Sequence, residues 1–379
     1  MTSVEPSNCL TIDVVMVFPL VKIFFGYSLA IGITSQRLLN QRFRSSPFSR
    51  AYALVVNIVT VTLLPIVMWR LRLVFQSKKN FPHLILITYN VRYVVSYLVI
   101  LYTVLSRGFR DTAFKEMQPL LLKLRQKEEQ CGKVRATRQS LMVLIYVKFF
   151  TLFWMCFTET AYLFHSNDTI NWTNVATFIF LTNAVNILEM VPMSYFLAMW
   201  HIARGFDYVN QRLDEIVKST SSTELKELQD LWLLHACLTK TTLNINKIFG
   251  PQMLASRFNY FIIGVIQGYW GAFFAFDEST PVYWIIYGSV GYQIRTLDNY
   301  LIDHMVDLVL EYQNSAKHAW SERRWTKEIS GYVTYANSSK LHLWTCGLFQ
   351  PNRSLWFDMI SSVFYYMLML LQFHLVMGK

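Results

Sequence analysis

The chain of 379 residues is 53% hydrophobic and 16% aromatic, yet only 16% of it is charged, against roughly a quarter in an ordinary soluble domain. That balance excludes disordered, collagenous and disulfide-scaffold proteins and points to a polytopic membrane protein. A formal charge of +11 would suit nucleic acid, but the Lys and Arg are dispersed at the ends of apolar blocks, where they report membrane orientation and leave no nucleic-acid partner.

In chain order, the first apolar block runs from Val14 to Ile33 and contains Pro19, Lys22 and Gly26. No basic residue precedes it as the flank of a signal peptide, and it has no clear small-x-small cleavage site. It reads as a helix lying along the inner interface. Seven further blocks, Ala51 to Trp69, His83 to Leu105, Ser140 to Phe164, Val175 to Trp200, Leu254 to Phe276, Val282 to Asp303 and Leu355 to Met377, are each long enough to cross a bilayer. Alternation of the barrel kind is absent, so only helices could close their backbone hydrogen bonds there. The expected fold is all-α with seven transmembrane helices. Its segments are a cytosolic region with the interfacial helix over 1–50, spans one to four over 51–200, a cytosolic helical extension over 201–253, spans five and six over 254–303, a cytosolic helical segment over 304–352 and span seven over 353–379.

With a cytosolic start, the inner segments hold 25 basic residues and the outer segments five. This bias sets the N-terminus inside and the C-terminus outside, although the first outer loop, with Arg70, Arg72, Lys78 and Lys79, is an exception. The sequons at Asn167 and Asn171 fall in an expected outer loop and are candidate glycosylation sites. Those at Asn337 and Asn352 would face the cytosol. Of the five cysteines, Cys9, Cys131, Cys156, Cys237 and Cys346, none lies in an expected outer loop, so no extracellular disulfide is available.

Between Trp200 and Leu254 the chain turns polar, but Phe206, Val209, Leu213 and Ile216, then Leu231, Leu234 and Leu238, repeat at helical spacing. They fit either a solvated extension of spans four and five or a packed intracellular domain that meets other subunits. Ser221 and Glu224 form a capping-box pattern between the two helices. Lys123 to Gln130 reads as a solvated helix face, and Lys317 to Lys340 as polar helix.

Catalytic chemistry is missing. There is no Walker loop, no G-x-G-x-x-G, no H-E-x-x-H, no G-x-S-x-G and no paired C-x-x-C. The eight His are scattered singly, so no catalytic residue, metal site or cofactor is expected. Gly264 and Gly268 form a G-x-x-x-G signature for close helix packing.

Ionisable residues inside a span are expensive and face a bundle interior or a wet cavity. At about 1.5 Å per residue, Arg92 and Glu159 lie within roughly 15 Å of the outer ends of their spans and could pair, while Glu189, Arg295 and Asp298 lie deeper. The outer halves also carry Tyr89, Tyr93, Trp154, Tyr162, Gln267, Trp270, Trp284 and Tyr287. Aromatic walls with a few polar groups suit a small-molecule pocket, so these residues with Arg92 and Glu159 are the ligand-binding candidates. Ion-pair networks, packing and interface belts account for the same residues without a ligand.

In the last block Asp358, Ser362, Tyr365, Met369 and Gln372 fall at steps of four, three, four and three. That polar stripe is unsuited to lipid. It either packs against neighbouring helices or, repeated around a symmetric oligomer, lines a water-filled path with Asp358 near the inner mouth. Tyr366, the apolar run Met367 to Leu371 and Gln372-Phe373 resemble the closing signature of insect gustatory receptors, with Tyr365 where Thr is usual. Cys346-Gly347-Leu348-Phe349 followed by Asn352 is similar to the family's Gly-x-Phe element before the last helix. The resemblance implies a tetrameric, ligand-gated, non-selective cation channel, opened by an external tastant in the plasma membrane of sensory neurons. The last helix of each subunit, in a homo-tetramer or a hetero-tetramer with other gustatory receptors, would line the pore, with Gln372 and Phe373 as pore and gate residues. The odorant-receptor class is the near alternative. A G-protein-coupled receptor would need an outside N-terminus, and a transporter would call for internal repeats that are absent.

Overall fold

The computed structural model describes residues 10–39, 42–77, 82–130, 138–165, 172–218, 224–276, 280–315, 335 and 341–377. Each apolar block is helical, since a span can satisfy its backbone only within itself. Among the described residues the helices are α1 (Leu10–Ala30), α2 (Pro47–Ser77), α3 (His83–Leu105), α4 (Arg107–Gln130), α5 (Gln139–His165), α6 (Trp172–Lys218), α7 (Glu224–Phe276), α8 (Val282–Ser315) and α9 (Arg353–Met377). The fold is that of an all-α polytopic membrane protein.

Among the described residues five helical segments are long and apolar enough to cross a bilayer: Pro47–Arg70, His83–Leu105, Gln139–Thr158, Val175–Ile216 and Arg353–Val376. The other two expected spans, in α7 and α8, are helical but too polar to be among the five. Their polar residues face one another inside the bundle. Arg257 pairs with Asp303, Tyr260 donates to Thr296 Oγ1 at 3.2 Å, and Arg295 donates to Gln267 Oε1 at 3.2 Å. The chain therefore hides from lipid what hydropathy alone counts against a span.

The expected domain boundaries at residues 200, 253 and 303 fall inside α6, α7 and α8. The extension is thus continuous with its spans, and α6 and α7 are 47 and 53 residues long. Along the extension Phe206, Val209 and Leu213 of α6 and Leu231, Leu234 and Leu238 of α7 are buried in the common core with Leu120 and Leu124 of α4. The apolar stripes read from the sequence are therefore covered within one chain. The Ser221 half of the capping-box pattern, nearly all of Lys317 to Lys340, and both sequon asparagines, Asn167 and Asn171, lie outside the described residues.

A short antiparallel hairpin, β1 (Gln36–Leu39) and β2 (Arg42–Ser45), joins α1 to α2 and has no counterpart in the sequence expectations. Its inward side chain Phe43 stacks edge-on against Phe25 at 5.0 Å and lies 5.4 Å from Phe114. Asp111 fixes the approach to it by accepting from Thr34 Oγ1 at 2.5 Å, Ser35 N at 3.0 Å and Ser35 Oγ at 2.7 Å. The next-door Arg110 folds back on the end of α3, donating to the Thr103 carbonyl and to Ser106 Oγ, each at 2.7 Å. Such a cation satisfies carbonyls that a helix C-terminus leaves bare. Burial pushes the Arg110 guanidinium down to about 10, so it stays charged at neutral pH.

Candidate functional site

Helix α9 lies on the edge of the bundle, against α7 and α8. Its start is fixed from two sides. Asn352 Oδ1 accepts from Leu355 N at 2.7 Å as an N-cap, and Asp307 of α8 accepts from Arg353 N at 2.9 Å and Nε at 3.0 Å. Just upstream, Leu348 N donates to the Thr345 carbonyl at 3.0 Å across a tight turn whose central residues, Cys346 and Gly347, have φ of 52° and 72°. Two consecutive positive φ values define a hairpin-type turn that needs glycine or tolerates strain. The Phe349 ring of the same element lies 5.6 Å beneath Arg257, the cation already paired with Asp303.

The seat of α9 is the G-x-x-x-G pair. A Cβ at Gly264 would touch Val363 at 3.4 Å, and one at Gly268 would meet Met367 Sδ at 2.8 Å. Small residues there let the two backbones approach. Further out, His374 Nδ1 shares a hydrogen bond with Tyr269 OH at 3.1 Å and packs on Phe273. At about 100° of rotation per residue, Val363, Met367 and His374 share one face of α9. The stripe Asp358, Ser362, Tyr365, Met369 and Gln372 occupies roughly the opposite face. All five are exposed, Tyr365 to 66%, while Val363 is the single fully buried side chain of the helix among the described residues. Phe373, at 49% exposure, borders the stripe at its outer end.

The ligand-binding candidates separate into groups. On α3 and α7, Tyr89 packs on Tyr93 with ring centroids 4.4 Å apart and stacks on Trp270 at 6.2 Å. The Arg92 guanidinium lies over the same Trp270 at 5.7 Å, whose indole N–H donates to Thr88 Oγ1 at 2.9 Å. Gln267 sits one turn away and accepts from Arg295. On α8, Trp284 and Tyr287 meet edge-on at 5.9 Å, and Tyr287 OH donates to the Thr158 carbonyl of α5 at 2.7 Å. Trp154 of α5 packs near Phe150, and its indole N–H is buried without a hydrogen-bond partner among the described residues. The Glu159 and Tyr162 side chains lie outside the described residues, so the Arg92–Glu159 pair has no geometry here.

Deeper in the bundle is a small, partly open concavity lined by Glu189, Pro192, Asn259, Tyr260, Arg295 and Asp298 among others. None of the eight ligand candidates with described side chains lines it. Arg295 approaches Glu189 at 3.9 Å. Asp298 is held from the other side by Lys148 at 2.5 Å and by Thr151 Oγ1 at 2.6 Å, and Lys148 also donates to the Asp298 carbonyl at 3.0 Å. With both Lys148 and Asp298 almost fully buried, this is a structural ion pair between α5 and α8. Its partner Lys148 was not singled out in the sequence, although a Lys inside an apolar block demands a buried acid. Among the described residues no cluster of His, Cys, Asp or Glu could hold a metal ion.

A family model described as 7tm chemosensory receptor matches residues 21–377. The chain belongs to this family. Over 278 residues the receptor is 63% identical to a Drosophila erecta protein named as a candidate gustatory receptor, 59b. The matched stretch is 73% of this chain and 47% of that protein, so the chain spans about half the length of that relative. In fold the receptor is similar to the insect olfactory receptor OR5 of Machilis hrabei in complex with eugenol. The TM-score is 0.64 at 13% identity, with 95% of this chain and 99% of that chain covered. The same receptor without a named ligand gives 0.62 at 15% identity with the same coverage.

Proposed function

We propose that the protein is a taste-type receptor that is itself a ligand-gated, non-selective cation channel, opened by an external small molecule, with α9 of each of four copies facing a common path. The observation that carries this reading is the bare polar stripe of α9, opposite the face seated on Gly264 and Gly268. A helix turned to lipid on that side would expose Asp358, Ser362 and Gln372 to hydrocarbon at a cost. Four such stripes around an axis give water and cations a polar wall, and Phe373 supplies an apolar ring that closes by dewetting. The subunits are identical or shared with other gustatory receptors, and the receptor works in the plasma membrane of sensory neurons, N-terminus inside.

The aromatic group Tyr89, Tyr93 and Trp270, with Arg92 and Gln267, is the ligand-binding region of this reading. Flat rings beside a cation suit a small aromatic or hydrogen-bond-accepting molecule. The fold likeness to an olfactory receptor bound to eugenol favours an odorant-type channel as the second reading, distinguished by the ligand rather than by the mechanism.

Whole-cell recording in cells lacking other insect receptors tests the channel. Phe373→Ala raises ligand-free current or shifts activation, and Gln372→Ala alters conductance or block. If both variants reach the surface and conduct as the wild type does, or if all current depends on G-protein signalling, α9 is a packing helix and the reading fails.

A further inference from the structure

The β1–β2 hairpin alternates between its two faces from Gln36 to Arg44, and only Ser45 at its end is exposed on the inward side. Leu38 and Phe43 are half-buried and Gln36 is buried, while Arg37, Leu39, Arg42 and Arg44 point outward and are exposed. The register sets Arg37 directly opposite Arg44 and Leu39 opposite Arg42. Like charges opposed across a strand pair repel, and no acidic residue occurs between Ile31 and Arg50 to offset them. The carboxylate bound to the approach to the hairpin, Asp111, is already occupied by Thr34 and Ser35. A fourth exposed cation, Arg50, donates to Ser45 Oγ at 3.0 Å at the end of the ribbon. Among the described residues none of the four arginines is paired with a carboxylate.

Position supplies the other half of the argument. The ribbon ends two residues before Pro47–Arg70, a helix apolar enough to cross the bilayer, so the ribbon lies beside the end of a span, where headgroups begin. Leu39 and Phe48, 52% and 73% exposed, add apolar side chains to the same edge. We infer that this hairpin is a docking surface for anionic phospholipid headgroups of the cytosolic leaflet, with Arg37, Arg42 and Arg44 taking the phosphates and Leu39 and Phe48 dipping into the interface. The leaflet assignment rests on the cytosolic N-terminus read from the basic-residue bias. The lipid preference itself does not. Clustered Arg beside a span gain attraction from an anionic surface charge by charge, and a planar guanidinium binds phosphate in a bidentate way. Phosphate groups between Arg37 and Arg44 would turn a repulsive cross-strand pair into a bridged one.

The purified full-length protein in mixed micelles, titrated with phosphatidylserine or phosphatidylcholine and followed by thermal unfolding, tests the inference without a tastant or a current. The wild type responds to phosphatidylserine at lower mole fraction than to phosphatidylcholine, and added salt weakens the difference. The triple variant Arg37→Gln, Arg42→Gln, Arg44→Gln needs about a hundredfold more anionic lipid for the same effect, or does not reach it. The triple Lys variant keeps the salt-sensitive, charge-dependent part of the preference and loses the part that bidentate guanidinium contacts supply. Because Phe43 holds the inner face on Phe25 and Phe114, the Gln variant retains its unfolding midpoint in phosphatidylcholine; should it fail to fold, single Arg42→Gln and the wild-type salt titration decide. A wild type that does not discriminate the lipids, a salt-independent preference, a Gln variant with unchanged preference, or one that changes oligomer size instead, overturns the inference. A channel that fails the electrical test above leaves this result standing, so the two proposals fail separately.

Discussion

Helices α6 and α9 offer an instructive contrast, because their spans are almost equally apolar yet differ in what covers them. In an apolar 18-residue stretch of the α6 segment Val175–Ile216, 53% of the residues are buried inside one chain, against 6% in the corresponding stretch of Arg353–Val376 in α9. From Met190 to Trp200 every α6 side chain is buried, and the Trp200 indole N–H finds the Leu141 carbonyl at 2.9 Å. Apolar composition is therefore a statement about water only. In a membrane, lipid and protein are equally acceptable neighbours for Leu or Phe, and what separates a central helix from an edge helix is where its polar residues point. Those of α6 meet partners in the same chain, as Asn186 meets Tyr27 at 2.7 Å. The polar side chains of the α9 stripe point out of the subunit.

The contrast breaks most severely at the wall around α6. Lys148 lies 5.7 Å from the Phe196 ring and pairs with Asp298, so Asp298→Ala strands a buried ammonium and costs about 3–5 kcal/mol. Surface labelling and size-exclusion profiles are expected to show loss of folded receptor. The double change Lys148→Met with Asp298→Leu recovers much of it, because the charge and its counter-charge leave together.

A smaller effect belongs to the seat of α9. Gly268→Val drives a branched side chain into Met367, which overpacks the contact by about 1–3 kcal/mol. The expected outcome is a folded bundle with altered gating, restored in part by Met367→Ala and read as a double-mutant coupling. Equal losses with and without Met367→Ala would mean that the two helices do not meet there.

The smallest effect lies in the helical extension, where Lys127 holds Asp230 at 3.1 Å with half of the Asp side chain exposed. The hydrogen bond and charge of Lys127 keep the Asp230 carboxyl below its ordinary 3.8. Its contribution is thus complete above that value and lost as pH falls through the lower folded one. Screening by water limits it to less than about 1 kcal/mol, and Asp230→Asn leaves the thermal midpoint at neutral pH within about 2 °C.

The helices were legible because long apolar runs are insensitive to detail, and the G-x-x-x-G pair was legible because two missing side chains have one obvious use. Which helix that pair would seat was not, since Val363 and Met367 look like any other apolar residues of the last span. The polar stripe of α9 was readable from spacing alone. The pairing of Arg295 and Asp298 was not, because each had several carboxylates or cations at a comparable depth, and only packing selected Gln267 and Glu189 for one and Lys148 for the other. The hairpin was missed for a different reason. A run with four arginines in fifteen residues carries the signature of a solvated loop, and its strands exist because Leu38 and Phe43 alternate with those arginines over a bed of Phe25 and Phe114.

Helix α7, at 53 residues, is about 80 Å long at 1.5 Å per residue, well over twice the hydrocarbon thickness of a bilayer. As a lever, a tilt of about 5° around its middle moves either tip by roughly 3–4 Å. Its middle is Gly250-Pro251, where the ring removes one rung of the backbone ladder and makes the rod most compliant. That joint abuts the Cys346-Gly347 turn, with Cys346 N 3.6 Å from where a Cβ on Gly250 would stand. A bend of the rod at that joint would bear directly on the turn that precedes α9, so the longest helix of the bundle and the root of the last one share a point of contact there.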